Sequence, residues 1–459
     1  MFSKVLVANR GEIAVRIIRS LKELGIKSVA IYSTADQESL HVQLADEAVC
    51  VGTARPQDSY LNMKNILAAA VGTGAQAIHP GFGFLSENSR FVEMCEDCGI
   101  TFIGPRSETI DLMGNKANAR TQMQKSGVPV IPGSTGFLKD AEEAEKVAKK
   151  VGFPVLLKAA AGGGGKGIRR VDDEGSLTAA YQEASREAAS AFGDGRMYLE
   201  KIMNNVKHIE VQVFCDQQGN AVYFPERDCS VQRGKQKMIE ESPCSLVTEQ
   251  KRQELGEIAL RAATAIDYLN TGTIEFLMDQ DQHFYFMEMN TRIQVEHTVT
   301  EMVTGIDLVK AQVKVAAGEA LPFKQSEIKL QGAAIECRIN AEDPSKNFFP
   351  STGKVDYLYV PVGNLGMRMD TALYAGCQIS PFYDSMIAKL IAQGPNRREA
   401  IEKVKRLLDE MVISGITTNQ KFYLDLLEDP TFKEGTVTTE YVEQTFLPDW
   451  KRRDSHAAV

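Results

Sequence analysis

The chain has 459 residues, of which 43% are hydrophobic and 25% are charged, as is typical of a globular protein with more than one folded unit. The formal net charge of -9 argues against a nucleic-acid-binding protein, which needs a basic surface to neutralise phosphates. No apolar run is long enough to span a bilayer, so we expect a cytoplasmic protein that contacts no membrane. The eight scattered cysteines do not form a disulfide framework and predict reduced thiols.

Strand-like runs alternate with helical patterns through the first hundred residues. SKVLVAN and SVAIYS, for example, flank the amphipathic segment GEIAVRIIRSLKELG. This alternation predicts parallel strands joined by crossover helices. We therefore expect a doubly wound α/β domain at the N-terminus.

The remaining sequence predicts a small α+β unit followed by antiparallel sheet. The polar helix LKDAEEAEKVAKKVG leads into FPVLLKAAAGGGGKGIRRV, and this unit ends near MYLEKIM. From about residue 204, short turns join apolar runs into hairpins, HIEVQVFCD with AVYFPERDCSVQ and TIEFLM with HFYFMEMN. AIECRINAED and the helix NRREAIEKVKRLLDEMV extend this antiparallel unit.

A glycine-rich string, Gly162 to Gly167, lies between two strand-like runs. It matches G-x-G-x-x-G, but a dinucleotide-binding loop must open a helix, and here the chain continues into the strand-like IRRV. No Gly-Lys-Ser/Thr closes the string, which excludes a P-loop. The alternatives left are a plain hairpin loop and a flap whose amides fold over phosphates, with Lys158, Lys166 and Arg169 adding positive charge.

Two acidic residues, Glu275 and Glu288, lie on predicted strands that a polar turn over 279–282 connects. A four-residue turn places Glu275 opposite Phe286 and diagonal to Glu288, at roughly 7–8 Å. Carboxylates at this separation can share Mg²⁺, which takes few carboxylates together with substrate phosphates. The alternative is a solvated sheet face, which the neighbouring Phe276 weakens because it indicates burial.

Polar residues occupy every second position of one run: Glu288, Asn290, Arg292, Gln294 and Glu296. If the run is extended, all five side chains share one face. The set combines a metal-binding acid, two amides, a guanidinium that can hold a small planar oxyanion, and a potential general base. An ordinary half-exposed strand gives the same alternation, so both interpretations stay open.

Three further polar features are less decisive. His208 precedes a strand, and an isolated histidine is usually structural. The basic turn from Gln232 to Lys237 suits a solvated loop as readily as a ligand site. Arg338 lies among apolar strand residues and needs a partner if it is buried.

Eight motifs in this order resemble the biotin carboxylase family of the ATP-grasp superfamily over nearly the whole chain. They are KVLVANRGEIAVRIIR, HPGFGFLSEN, FIGP, KAAAGGGGKGIR, ERDCSVQR, EMNTRIQVEH, ECRINAED and PFYDSMIAKL. The resemblance implies a mixed α/β and α+β protein with an ATP-grasp fold. The implied divisions are an N-terminal Rossmann-like domain over 1–115, an ATP-grasp region over 116–320 with a lid over 131–203, a C-terminal antiparallel-sheet domain over 321–447, and a tail over 448–459.

The resemblance also implies the roles of individual residues. The implied ATP-binding residues are Lys116, Lys158, Gly163, Gly164, Gly165, Lys166, Gly167, Glu200, Lys201, Met203, His208, Gln232, Lys235, Glu275, Leu277 and Glu288. The implied ligands of magnesium or manganese are Glu275, Glu288 and Asn290. The residues implied to bind bicarbonate or biotin are Glu87, Lys237, Arg292, Gln294, Val295 and Arg338. The implied catalytic residues are Lys237, Arg292, Glu296 as the base, and Arg338, which steadies charge on the biotin ureido oxygen.

In the implied reaction, bicarbonate attacks the γ-phosphate of ATP to give carboxyphosphate, which breaks down to carbon dioxide and phosphate. The phosphate deprotonates biotin, and the resulting enolate captures the carbon dioxide. The sequence departs from the family at two places. Arg233-Gly234-Lys235 replaces the usual pair of arginines followed by His or Asn, and Thr298 replaces a proline, which we expect to loosen the loop beside Glu296.

The resemblance implies partners as well. No Met-Lys-Met attachment segment is present, so biotin is expected on a separate carrier protein, with carboxyltransferase subunits and a second copy of the chain in a homodimer. The implied function is the first half-reaction of acetyl-CoA carboxylase, which leads to malonyl-CoA and fatty-acid synthesis. Alternatives are a subunit of a pyruvate or other acyl-CoA carboxylase and an ATP-grasp ligase of the carbamoyl-phosphate type. A dehydrogenase is disfavoured by the missing helix after the glycines, and a non-catalytic nucleotide sensor by the presence of Glu288, Arg292 and Glu296.

Overall fold

The computed structural model of the chain describes residues 1–160 and 167–457. Five residues of the predicted flap, Gly162, Gly163, Gly164, Gly165 and Lys166, lie outside these ranges. Among the described residues, no helix combines the length and apolar character that a membrane span requires. All eight cysteines are free thiols, as predicted.

A parallel five-stranded sheet forms the N-terminal part of the structure. Its strands are β1 (Lys4–Val7), β2 (Lys27–Ser33), β3 (Glu47–Gly52), β4 (Ala77–His79) and β5 (Thr101–Phe102). The helices are α1 (Gly11–Glu23), α2 (Leu40–Leu44), α3 (Met63–Thr73), α4 (Ser89–Asp97), α5 (Ser107–Gly114) and α6 (Lys116–Lys125). On one face Val5 and Val7 pack with α1, and on the other Leu6 packs with α3 and α4. The strand order β3-β2-β1-β4-β5 confirms the doubly wound prediction.

The lid is a three-stranded antiparallel sheet packed with two helices. Its elements are α7 (Ala141–Val151), β6 (Val155–Ala159), β7 (Ile168–Val171), α8 (Glu174–Phe192) and β8 (Met197–Lys201). β6 and β7 pair directly, which confirms the prediction that strands flank the glycine-rich string. Gly167 closes this hairpin at φ 70°, and its carbonyl accepts from the Ala159 N–H at 2.8 Å. A Cβ at position 167 would lie 2.7 Å from that of Ala159, so the close approach requires glycine.

A nine-stranded sheet carries most of the remaining chain. Its strands are β9 (Lys207–Cys215), β10 (Ala221–Tyr223), β11 (Arg227–Arg233), β12 (Gln236–Ser242), β13 (Asn270–Met278), β14 (Phe284–Asn290), β15 (Ala333–Asn340), β20 (Met367–Thr371) and β22 (Met386–Gly394). The order is β14-β13-β9-β11-β12-β15-β22-β20, with β10 beside β9. All of these pairings are antiparallel, which confirms the predicted hairpins and their extension into the C-terminal part.

Helices and short strands complete this half of the molecule. The helices are α9 (Glu249–Thr264), α10 (His297–Thr304), α11 (Leu308–Ala316), α12 (Arg397–Glu410), α13 (Gln420–Glu428), α14 (Pro430–Glu434) and α15 (Leu447–Ala457). The short strands are β16 (Glu342–Asp343), β17 (Phe349–Pro350), β18 (Gly353–Lys354), β19 (Tyr357–Tyr359), β21 (Gln378–Ile379) and β23 (Val412–Ser414). α12 packs on β22 and β15, so the C-terminal helices cover the same sheet that β9 to β14 begin.

The register of the β13–β14 hairpin differs from the prediction. Met278 pairs with Phe284, so five residues rather than four form the turn, and Met287 is an extra residue that bulges from β14. Glu275 therefore stands directly opposite Glu288, not opposite Phe286. The two carboxylates are closer neighbours than the diagonal arrangement would make them.

The run from residue 288 to residue 296 does not extend as one strand. β14 ends at Asn290, and Glu296 immediately precedes α10. An irregular segment, 291–296, connects the two elements. The alternation of a strand therefore does not determine where the side chains of this segment point.

The core of the C-terminal part is built around an aromatic cluster. The ring of Phe422 makes edge contacts with Phe348, Phe446 and Trp450 at centroid distances of 5.3, 5.4 and 5.3 Å. Phe422 is fully buried, so its removal would leave a cavity that these rings cannot fill.

We expect Phe422→Ala to lower the free energy of unfolding by about 3–5 kcal/mol. Urea unfolding can be followed by the fluorescence of Trp450, which is the single tryptophan of the chain. Phe349→Ala is the matched control because Phe349 is 70% exposed, and its effect should stay within about 0.5 kcal/mol. Equal losses in the two variants would contradict the assignment of Phe422 to the core.

Candidate active site

A cavity of about 1220 Å³ lies between the lid, the nine-stranded sheet and the N-terminal domain. The predicted site residues that line it are Lys116, Lys158, Glu200, Lys201, Met203, His208, Gln232, Lys235, Lys237, Glu275, Leu277, Glu288, Asn290, Arg292, Gln294, Val295 and Arg338. Glu87 and Glu296 stand behind this lining and contact residues that belong to it. The structure thus gathers residues that are up to 222 positions apart in the sequence, from Lys116 to Arg338, around one space.

Three glutamates stand in register across neighbouring strands of the large sheet. Glu210 of β9 is opposite Glu275 of β13, which is opposite Glu288 of β14. Negative charges this close together need cations beside them. Arg227 Nε lies 2.6 Å from Glu210 at one end, and Lys116 Nζ lies 2.7 Å from Glu288 at the other.

The ammonium of Lys237 is the cation that the buried carboxylates share. Its Nζ lies 2.6 Å from Glu210 Oε2, 2.9 Å from Glu275 Oε1 and 2.6 Å from Glu296 Oε1. Burial by itself would lower the pKa of Lys237, but the three carboxylates outweigh it and raise that pKa well above its ordinary value. Lys237 is therefore a permanent positive charge at neutral pH.

Glu296 is the proposed base, and it lies fully buried between two cations. Besides Lys237, Arg338 Nη2 contacts Glu296 Oε2 at 3.0 Å. Burial would raise the pKa of Glu296, yet Lys237 and Arg338 hold it well below its ordinary value, so the carboxylate is ionised. Arg338 also donates from Nε to Glu240 Oε1 at 2.6 Å, which confirms that this arginine has acidic partners. The pKa of Glu240 is raised to about 8, chiefly by burial.

The guanidinium of Arg292 is held by three neighbours at the cavity wall. Nη2 donates to Asn290 Oδ1 at 2.9 Å and Nη1 to Gln294 Oε1 at 2.9 Å. Nε donates to Glu87 Oε2 at 3.0 Å, and the other oxygen of Glu87 accepts from the Thr291 N–H. The central residues of the alternating run, Asn290, Arg292 and Gln294, therefore lie together, although the segment that carries them is irregular and not extended.

The opposite end of the cavity lies under the lid. Lys158 Nζ donates to Glu200 Oε2, and Met203 and Leu277 add apolar surface nearby. Lys201 differs from its neighbours, because its Nζ donates to the carbonyls of Gly152 and Phe153. Its ammonium is therefore engaged within the lid.

Several residues that sequence reasoning missed take part in the site. Glu210 and Arg227 belong to the charge cluster, Glu240 supports Arg338, and further cavity-lining residues are Arg10, Arg120, Tyr198, Tyr383, Thr439 and Glu440. The period-two pattern of β9, HIEVQVFC, places Glu210 on the face of His208 and is a signal that could have identified it. Thr439 and Glu440 are far from every motif, so the sequence carried no comparable signal for them.

Thr298 does not loosen its surroundings, contrary to our expectation. It lies in the first turn of α10, is fully buried, and its hydroxyl donates to Glu336 Oε2. A proline side chain has no such donor. The threonine thus ties α10 to β15 beside Glu296.

The donor set around Glu275 suits a hard divalent cation. Glu275 and Glu288 offer facing carboxylates, as Mg²⁺ prefers. The side chain of Asn290 lies next to them, but its Nδ2 donates to Glu275 Oε1 at 2.8 Å, and its oxygen accepts from Arg292. Ligation through the Asn290 oxygen therefore requires the amide to turn.

Comparison with known proteins identifies three matching family models along the chain. These are the biotin carboxylase N-terminal domain over residues 1–110, the carbamoyl-phosphate synthase L chain ATP-binding domain over 115–324, and the biotin carboxylase C-terminal domain over 336–444. The chain is similar to biotin carboxylase 1 of Bacillus subtilis (strain 168), with 52% identity covering 96% of this chain and 98% of that one.

Solved structures with the same architecture include two carboxylase components. One is the biotin carboxylase domain dimer of the Hydrogenobacter thermophilus 2-oxoglutarate carboxylase, in complex with MgADP, ADP and bicarbonate. It has a TM-score of 0.90 and 50% identity, covering 97% of this chain and 98% of that one. The other is the biotin carboxylase subunit of a pyruvate carboxylase, with a TM-score of 0.85 and 53% identity, covering 97% of this chain and 98% of that one.

We expect Lys237→Gln to lower the free energy of unfolding by about 3–5 kcal/mol at pH 7, because three buried carboxylates lose their shared cation. The folded-state pKa of Glu296 is depressed, so its ion pair stabilises fully above the unfolded pKa of about 4.3 and this contribution fades as the pH falls toward the folded value. The difference between the unmodified chain and the variant should therefore be smaller at pH 4 than at pH 7 in urea unfolding.

Lys251→Gln is the control for this measurement, because Lys251 pairs with Glu254 on the surface. Its effect should stay within about 1 kcal/mol at both pH values. A loss in Lys237→Gln that is the same at pH 4 and pH 7 would contradict the charge-cluster account.

Proposed function

Because the chain belongs to the biotin carboxylase family of ATP-dependent ligases, we propose that its cavity carboxylates biotin with bicarbonate at the expense of ATP. The observation that carries the proposal is the position of Arg292. Its guanidinium is presented to the cavity by Asn290 and Gln294, within one cluster that also holds Glu275 and, through Lys237, Glu296. The residue proposed to bind the anion, Arg292, therefore lies beside Glu275, which is proposed to face the nucleotide, and close to the ionised carboxylate of Glu296.

We propose that ATP lies under the lid, with its phosphates directed toward the glutamate row. Lys116 and Lys158 would supply positive charge, and His208, Gln232 and Lys235 line the same end of the cavity. The adenine would lie between the Met203 and Leu277 side chains, near the backbone of Glu200 and Lys201. Gly163 to Gly167, as implied by the family resemblance, would cover the phosphates.

We propose Glu275, Glu288 and Asn290 as the ligands of magnesium or manganese. Such an ion, when bound, neutralises phosphate charge and draws electron density from the γ-phosphorus. Lys116 pairs with Glu288 and Lys237 pairs with Glu275, so each acid has a cationic partner that a nucleotide phosphate can attract.

Bicarbonate would lie against Arg292, Gln294, the Val295 amide and Lys237. One bicarbonate oxygen attacks the γ-phosphorus, the bond from that phosphorus to the ADP oxygen breaks, and carboxyphosphate forms. Glu296 would take the bicarbonate proton, because it is held ionised beside Lys237. Carboxyphosphate then divides into carbon dioxide and phosphate inside the closed cavity, which must exclude water.

We propose that the ureido oxygen of biotin faces Arg338. The released phosphate would take the proton of the ureido nitrogen, and Arg338 would stabilise the enolate oxygen while the nitrogen attacks carbon dioxide. Glu240 and Glu296 orient the guanidinium from both sides. Glu87 would act by holding Arg292.

The wider assignments are also proposals. We propose domains over 1–115, 116–320 with a lid over 131–203, and 321–447, with a tail over 448–459, and a homodimer that works in the cytoplasm, where ATP and bicarbonate are available. Biotin would be presented by a carrier protein and passed to carboxyltransferase subunits. The acceptor we favour is acetyl-CoA, for fatty-acid synthesis. The pyruvate and 2-oxoglutarate carboxylase components among the similar proteins support a 2-oxo acid as the alternative.

We expect the purified chain to cleave ATP slowly with bicarbonate and magnesium, and free biotin to raise ADP formation and yield carboxybiotin. ADP release and transfer of labelled bicarbonate to biotin measure the two outcomes. Omission of bicarbonate is the control, because the proposed nucleophile is then missing. No stimulation by biotin and no carboxybiotin would contradict the proposed reaction.

We expect Arg292→Ala to lower carboxybiotin formation by about 100-fold or more, since a charge-assisted anion contact is removed. ATP affinity, measured by calorimetry, should stay within about threefold, because the hydrogen-bond partners of Arg292 are Glu87, Asn290, Ile293 and Gln294 and none of the described lid residues is among them. Arg90→Ala is the control, as Arg90 forms an exposed pair with Glu93. Full activity in Arg292→Ala would remove this residue from the mechanism.

A further inference from the structure

A fully buried lysine, Lys389, lies beneath segment 291–296 and does not line the cavity. It belongs to β22, in register with Arg338 of β15 on one side and Asp370 of β20 on the other. Its Nζ donates to the backbone carbonyl of Val295 at 2.8 Å. A charged side chain of the sheet, that of Lys389, therefore donates a hydrogen bond to the irregular segment that carries Arg292, the residue proposed to bind the anion.

Three carboxylates keep this lysine charged. Nζ lies 3.2 Å from Glu12 Oε1 and 4.0 Å from Asp370 Oδ2, and Glu336 is the third acid. Burial would lower the pKa of Lys389, but Glu12, Glu336 and Asp370 raise it overall. A charged donor makes a stronger bond to a carbonyl than a neutral one does.

Segment 291–296 has little regular structure to fix it. It lies between the end of β14 and the start of α10, so no strand ladder holds its backbone. At its first residue, the Thr291 N–H donates to Glu87. Near its other end, the Val295 carbonyl accepts a hydrogen bond from Lys389. Arg292 and Gln294 lie between these two anchored residues.

We propose that Lys389 is a positioning residue that fixes Val295 and, through the segment, Arg292 and Gln294 for bicarbonate. The inference rests on the proposed function for its choice of ligand. Lys389 touches no reacting atom and acts only through the carbonyl it holds. One ionic partner of Lys389, Glu12, belongs to α1 of the N-terminal domain. The packing of α1 on β20 and β22 is thereby linked to the shape of the anion site.

The test compares Lys389→Met with Lys207→Met in bicarbonate-dependent ATP cleavage. Lys207 is the matched control, since it is also a buried lysine on the same sheet, paired with Asp228. We expect Lys389→Met to raise the KM for bicarbonate about tenfold or more, as loss of a charge-assisted hydrogen bond predicts, with the KM for ATP within about twofold. Lys207→Met should leave both KM values within about twofold.

A second readout follows the segment itself. Amide hydrogen exchange of residues 291–296 should become at least about fivefold faster in Lys389→Met and stay unchanged in Lys207→Met. Glu12→Gln keeps the lysine but removes one of its acidic partners, and it should raise the KM for bicarbonate by about two- to threefold. This variant replaces Lys389→Met in the test if Lys389→Met does not fold. Lys389→Arg, which keeps the charge, should recover most of the bicarbonate affinity.

Parallel changes in the two KM values, or unchanged exchange over 291–296, would overturn the positioning role. Arg292→Ala separates this failure from failure of the proposed function. If Arg292→Ala raises the bicarbonate KM but neither Lys389→Met nor Glu12→Gln does, the inference about Lys389 is wrong. If Arg292→Ala leaves the bicarbonate KM unchanged, the assignment of the anion site itself is wrong.

Discussion

The contact of Lys237 with three buried carboxylates is the interaction on which the rest of the site depends. Without this ammonium, Glu210, Glu275 and Glu296 would be negative charges packed side by side away from water, an arrangement that costs several kcal/mol per unpaired group. With it, Glu275 and Glu296 stay ionised in the interior, because the pKa of each is held below its ordinary value. An ionised acid is the form that can hold a cation or accept a proton. The contact of Lys237 with these acids therefore serves both the stability of the fold and the chemistry of the site.

Antiparallel pairing explains why this balance is possible. Strands that lie about 4.8 Å apart bring one side chain from each strand into a row, and a row of glutamates is tolerable only if basic side chains flank it. The sheet supplies Arg227 at one end, and α6 supplies Lys116 at the other. Residues from distant parts of the chain therefore meet because the strand order places them in one row, and the bulge at Met287 completes the row by moving Glu288 into register.

Much of the fold could be predicted because local patterns determine it. The alternation of strand and helix before residue 115 gave the doubly wound domain, and the period-two runs after residue 204 gave the hairpins. Two features were not predicted from the sequence: the position of Glu288 directly opposite Glu275, and the irregular segment after Asn290. Both have another origin. A turn length and a bulge depend on packing across the sheet, and no short pattern around Met287 records them. The period-two pattern of β9 places Glu210 on the face of His208, but its importance comes from partners 17 and 65 residues away, Arg227 and Glu275, which that pattern does not reveal.

The ion pairs that stabilise the cavity also define how it would respond to substrates. Lys116 is bound to Glu288 and Lys158 to Glu200, so each proposed phosphate-binding lysine already holds an acid. Arrival of a metal-bound nucleotide would give Glu288 a metal and each of the two lysines a phosphate. Glu288, Lys116 and Lys158 would then each exchange one partner for another. Glu296 has no such exchange open to it, because Lys237 and Arg338 are also its neighbours in the proposed complex, and it stays ionised until bicarbonate delivers a proton.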